Sequence, residues 1–439
     1  MVIMKRNILC FLTLSLLIVL AACKPKYEPE TASKGEIDPT RFVMIGGGHV
    51  AGYMDDGLTY EGQQNSLANI MAEQFKIVGG GEFNQAFVNQ GSIGISIAGL
   101  APFKLDYKTD CKGVSSLSPV RIATSGDASI LTETLYSSGN PFGNFGIPGL
   151  KLAEVGVAGF ANNNSFFKRL ASSTSTSVLV DAKNANATFF SLFLGLEEVV
   201  TYAKSGGTIA SLPTTSDFET QYTAVVANMT ENGAKGVLAT IPDVTKMPYF
   251  TTIPWNGMKL DESNVDLLNS VYNPLGYFFE IGDNGFMMVD TAANDFAVRP
   301  MESGELLSLA VPLDSVKCNQ MGVLFPIRDE FILDAGEILV LRDKISAYNV
   351  IIKSIAAQYN LAVVEADKFV NKLSDGFIYN GVTMSAKFVS GGAYSLDGIH
   401  FNPKGNALLA NEFIKSINSK YKSTIPLVNV GKFNATFFP

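Results

Sequence analysis

Two rhythms of apolar and polar positions run along this chain. Four segments are apolar almost throughout: FVMIG at 42–46, ATFFSLFLG at 187–195, AKGVLATIPD at 234–243 and LAVVEADKF at 361–369. Runs of that length predict strands buried on both faces, and a fifth strand is expected near 140–146. Between them the spacing lengthens to the helical period. Leu67, Ile70, Met71 and Phe75 share one face, as do Phe218, Tyr222, Val225, Val226 and Met229. Ile345, Tyr348, Ile351, Ile352 and Ile355 form a third stripe, and Leu408, Leu409, Phe413, Ile414 and Ile417 a fourth. A strand, a glycine turn at 46–48 and a helix, followed by further strand and helix segments, predict an α/β domain. Its parallel sheet should carry helices on both faces. Between Thr245 and about Glu330 the rhythm is lost, and no linker composition flanks the gap. That region is expected to be an insertion packed on the main domain. Within it FFEIGDNGFMMVD (278–290) reads as a hairpin turning at Asn284-Gly285.

The first residues follow a different pattern. Lys5 and Arg6 precede an apolar run of 15 residues, Ile8–Ala22, too short for a membrane span and right for a signal peptide. The run ends Leu20-Ala21-Ala22-Cys23, which resembles the bacterial lipobox. That resemblance implies cleavage after residue 22 and an acyl anchor, palmitate among its chains, on Cys23. Residues 23–40 are polar and contain prolines, and so read as a tether. The domain is expected over 41–425, with the insertion at about 245–330 and a tail at 426–439. The expected address is the outer membrane, on its periplasmic or its cell-surface face.

Composition narrows the function classes. With 47% apolar and 17% charged residues the chain is globular. A net charge of −8 argues against a nucleic-acid partner, which needs a basic face. Four cysteines in 439 residues build neither a disulfide scaffold nor zinc ribbons. Besides the anchor and Cys10 of the signal, only Cys111 and Cys318 remain, and their spacing leaves open whether they pair. The two histidines, His49 and His400, exclude a site of three imidazoles but leave room for one Ser-His-Asp arrangement. No cofactor is expected.

The segment YSLDGIHFNPKGNALLANEFIKSIN (394–418) places Asp397 and His400 three residues apart, just before a helix starting near Pro403. In that setting a carboxylate can orient an imidazole as a general base. The segment resembles the last catalytic block of the SGNH/GDSL hydrolases, in the lipid-anchored form found in Bacteroidota. The resemblance covers roughly residues 41–419. It implies a three-layer α/β/α fold with a central parallel sheet, carrying an inserted subdomain, and a GDSL-type esterase or lipase site. The family's first block is matched by FVMIGGGHVAGYMDDG (42–57), where Gly48 stands at the position of the nucleophilic serine. The second block is matched by NFGIPG (144–149), so Gly149 takes the place of an oxyanion donor. The third, G-x-N-D, reads GLEE (195–198), with Glu197 at the oxyanion asparagine and Glu198 at the aspartate.

Glycine cannot attack a carbonyl, and removing the nucleophile of a serine protease costs about 10⁶ in turnover. A carboxylate at the oxyanion position repels the charge that develops there. The leading expectation is a catalytically degenerate binding or accessory subunit, anchored by lipid and joined to an outer-membrane protein complex. Asp397 and His400 would then persist as a vestigial pair, capping the last helix and bonding to nearby backbone. Two other classes stay open: an active esterase with altered machinery, and a metal-dependent hydrolase using His49, Glu197 and His400. Restoring Gly48→Ser with Glu197→Asn is expected to return the missing groups.

Overall fold

Phe42–Gly46 and Phe189–Phe193 are buried at every position, so each must be covered on both faces and hydrogen-bonded along both edges. The computed structural model, which describes residues 31–439 apart from 210, 294 and 295, meets this requirement with one parallel sheet of five strands. These are β1 (Phe42–Gly46), β2 (Asn144–Gly146), β3 (Phe189–Phe193), β4 (Lys235–Ala239) and β5 (Ala362–Val364), in spatial order β5-β4-β3-β1-β2. The register runs Phe42↔Phe189 to Gly46↔Phe193 between β1 and β3, and Met44↔Asn144 to Gly46↔Gly146 between β1 and β2. The signal segment and Cys23 lie outside the described residues.

Seven helices matter to the site or the core: α1 (Gly48–Ala51), α2 (Leu67–Ile77), α3 (Leu196–Lys204), α4 (Thr215–Thr230), α5 (Ala335–Gln358), α6 (Ala366–Asp375) and α7 (Pro403–Tyr421). The apolar stripes read from the sequence are their buried faces, Ile351 alone remaining half-buried. Helix α4 packs on α5 and α2 on α7, so that two helix pairs flank the sheet. Phe218 of α4 stacks on Tyr348 of α5 with ring centroids 4.1 Å apart, and Phe189 of β3 sets its ring edge-on to Phe75 of α2 and Tyr421 of α7. Each such aromatic pair adds roughly 0.5–1.5 kcal/mol to the stabilisation from burial alone.

The structure corrects several expectations. The apolar run at 361–369 is a strand only over Ala362–Val364, and from Ala366 it is α6, burying Phe369, Val370 and Leu373. A short apolar run does not separate the two periods. The segment 278–290 is no hairpin. Gly282–Asn284 pairs with Met258–Leu260, while Met287–Val289 pairs with Val298–Pro300. Asn284-Gly285 therefore joins strands of two different ribbons. Residues 33–40, expected within the tether, pack on the domain: Ile37 is buried and the Glu36 N–H donates to the Tyr421 carbonyl at 2.8 Å. The tail is held as well, for the Val428 N–H donates to Asn411 Oδ1 at 2.7 Å.

Residues 258–332 build a hydrophobic cluster of their own, from Met258, Leu268, Tyr272, Phe286, Met287, Met301 and Ile327 among others. This region touches the main domain near the turn that precedes α7. The Tyr249 N–H donates to the Gly398 carbonyl at 3.0 Å, and the Leu309 N–H to the Tyr249 carbonyl at 2.9 Å. Cys111 and Cys318, left open by their spacing, form a disulfide with Cα atoms 6.4 Å apart. It joins the tip of an antiparallel hairpin, Phe103–Thr109 with Ser115–Arg121, to a helix at Leu313–Cys318.

Candidate functional site

Parallel strands bring their carboxyl ends to one edge of the sheet, and three loops from that edge supply the site. The chain leaves β1 through Gly47 into the single turn of α1, whose four residues are all buried. It leaves β3 through Gly195 into α3, placing Glu197 in the first helical turn. The third loop, 394–402, is fixed before α7 starts. There Asn402 accepts from the Gly405 N–H as N-cap, and the Ser395 N–H donates to the His400 carbonyl at 2.8 Å. Asp397 is thus not the cap of the last helix, contrary to the vestigial expectation.

Asp397 instead collects donors. Its Oδ1 accepts from the Ile399 and His400 N–H groups, both at 2.8 Å, and its Oδ2 lies 3.0 Å from His400 Nδ1 and accepts from the Asp56 N–H at 3.1 Å. Burial pushes the Asp397 carboxyl up, but the His400 charge and these hydrogen bonds outweigh it and hold the group well below the usual carboxylate range. Burial pulls the His400 imidazole down, yet the charge and hydrogen bond of Asp397, with the charge of Glu197, leave it raised. With Nδ1–H directed at Asp397, the neutral ring presents Nε2 as an acceptor.

That nitrogen faces position 48. A Cβ placed on Gly48 would stand 2.3 Å from His400 Nε2. Position 48, where the resemblance would put a nucleophile, is thus directed at His400 Nε2. The imidazole occupies the room a side chain at 48 would need. Restoring serine at 48 requires the ring to retreat, an obstacle the sequence does not reveal.

Glu197 lies against the turn from β1 into α1. Its Oε1 accepts from the Gly48 N–H at 3.0 Å, and it lies so close to Gly47 that a Cβ there would be 2.4 Å from Oε1. The Gly48 N–H is thus bonded to a carboxylate of the chain itself. Gly149 lies one neighbour further out. Its Cβ direction meets Ile97, whose N–H donates to the Tyr53 hydroxyl at 3.3 Å, and the Tyr53 ring is 4.9 Å from that of His400. Glu198 faces the same loop, accepting from the Leu152 N–H while buried.

His49 is a core residue. Its ring lies 4.9 Å from His400, 5.2 Å from Phe401 and 5.8 Å from Phe193, and burial, then the neighbouring His400 charge, push its imidazole down to about 3. Among the described residues no three His, Cys, Asp or Glu side chains converge as metal ligands, so the set His49, Glu197, His400 does not assemble.

Sequence reasoning missed the acidic turn that buttresses the pair. Asp55 and Asp56 both adopt left-handed backbone, at φ 54°. Asp55 Oδ1 accepts from the Leu396 N–H at 2.7 Å, and Asp56 binds the Tyr53 hydroxyl at 2.8 Å and Arg121 at 2.6 Å. The signal was present as MDDG at 54–57, which reads only as a turn. Side-chain exposure of 13% at His400 and 10% at Asp397 leaves the pair little contact with solvent. No protein-family model matches the chain, and no curated protein matches it.

Proposed function

We propose that this chain is a lipid-anchored, SGNH-hydrolase-like protein whose hydrolytic site is degenerate, and that it acts as a binding or accessory subunit at the outer membrane. One observation carries the reading. Gly48 has no side chain to direct at His400, and Glu197, at the oxyanion asparagine position of the resemblance, is a carboxylate bonded to the Gly48 N–H at 3.0 Å, so nucleophile and oxyanion donor are lost together. The parallel five-stranded sheet and the direction of position 48 toward the Asp397–His400 pair support the family likeness. The accessory role is supported by the insertion, where Phe278, Ile281 and Phe325 are exposed.

The test is direct. Purified protein should show neither a burst with short-chain aryl esters nor covalent labelling by a serine-directed fluorophosphonate. Ester hydrolysis by the unmodified protein that disappears in His400→Ala would refute the degenerate reading and assign His400 as base for another nucleophile or for water.

A further inference from the structure

The Asp397–His400 turn is gripped from two sides. On one side stands the hairpin Phe103–Arg121. The Phe103 N–H donates to the Asp55 carbonyl at 2.7 Å and Arg121 pairs with Asp56 at 2.6 Å, while the Asp56 N–H bonds Asp397 and Leu396 bonds Asp55. On the other side stands the insertion, through Tyr249 on Gly398 and Leu309 on Tyr249. The far ends of these two arms are joined. Cys111 is bonded to Cys318, and the bond is flanked by Lys108–Asp314 at 3.1 Å and Lys317–Asp110 at 3.0 Å. The result is a closed belt running from the turn through the hairpin and insertion back to the turn. The two ion pairs have half-exposed lysines and contribute little on their own, so the covalent link is what keeps the belt shut. Both cysteines are exposed and open to a reductant.

We propose that the Cys111–Cys318 bridge is a redox-controlled strap that sets access to His400. A dithiol opens it by exchange: one thiolate attacks a sulfur of the bridge, the Cys111–Cys318 bond breaks, and the second thiolate releases the mixed disulfide. The dithiol leaves as its own disulfide, and Cys111 and Cys318 take up two electrons and two protons. The belt is then held only by hydrogen bonds and exposed ion pairs. The strap goes beyond the degenerate-site reading, and holds or fails whether or not His400 takes part in a reaction.

The two histidines make the test internally controlled. The purified full-length protein is treated with diethylpyrocarbonate, with the bridge intact or reduced by dithiothreitol (removed before treatment), and modification of His49 and His400 is followed separately by mass spectrometry. His400 should react at least about tenfold faster after reduction, reflecting local opening, with His49 still protected in the core. Cys111→Ser with Cys318→Ser should reproduce the fast His400 reaction without reductant. Equal His400 rates with and without the bridge would overturn the strap, leaving the disulfide a structural staple. A parallel rise at His49 in the reduced native chain would also overturn it, by showing general loosening.

Discussion

At position 48 the ring of His400 fills the space in which a side chain would stand. A side chain there would collide with an imidazole that cannot simply swing away, because Asp397 holds its Nδ1 and the Tyr53 and His49 rings lie beside it. Gly48→Ala should therefore cost about 1–3 kcal/mol by overpacking, although alanine is otherwise the better helix residue. In a His400→Ala background the same substitution should cost little or stabilise, giving a coupling of at least about 1 kcal/mol in a urea-denaturation double-mutant cycle. Equal costs in both backgrounds would mean that something other than His400 keeps position 48 bare. Around Asp397 the His400 charge comes first, and donors from His400 Nδ1 and the Asp56, Ile399 and His400 N–H groups add to it in holding the carboxyl below the usual carboxylate range despite its burial.

Between elements, the tie of most consequence is Glu198, which links the first turn of α3 to the loop after β2 through the Leu152 N–H. Its Oε2 is buried without a hydrogen-bond partner, and burial raises the carboxyl to about 7. A value raised on folding contributes stability that is complete below the unfolded-state value near 4.5 and is lost as pH rises through about 7. Glu198→Gln keeps an oxygen for Leu152 and cannot ionise. Its stability relative to the natural chain should shift in its favour by about 2 kcal/mol between pH 5 and pH 8. Urea denaturation at the two pH values checks this. A pH-independent difference would mean that Glu198 does not titrate across that range.

For the whole molecule, the described residues contain no helix long and apolar enough to cross a membrane. On the lipoprotein reading, the acyl group on Cys23 is what holds the chain to the bilayer. Cys23→Ser should then leave the domain folded, by circular dichroism, and move it out of the membrane fraction on cell fractionation. Retention in that fraction would assign the attachment to a protein partner. Such a partner has surfaces to use, since the insertion carries its own core and still exposes Phe278 and Ile281.

Most of the fold was legible in the chain because its strands and helices are set by local period. FVMIG and ATFFSLFLG, short and rich in aromatic and β-branched residues between turns, read as strands buried on both faces, and the stripe from Leu408 to Ile417 reads as a helix with a buried side. The pairing of Asp397 with His400 was legible for the same reason, three residues being one turn of chain. Tertiary structure alone decided the rest. Asn284-Gly285 carries a turn signature, yet Gly282–Asn284 finds its partner at 258–260, and no local rule selects a partner so distant. The Cys111–Cys318 bond spans 207 residues. Glu197 is 149 residues from the N–H it binds, and His400 crosses 352 residues to fill the space beside Gly48. Sequence assigns the residue types at a site, but which atom occupies which volume is settled only when the strand ends converge, because exclusion acts through space.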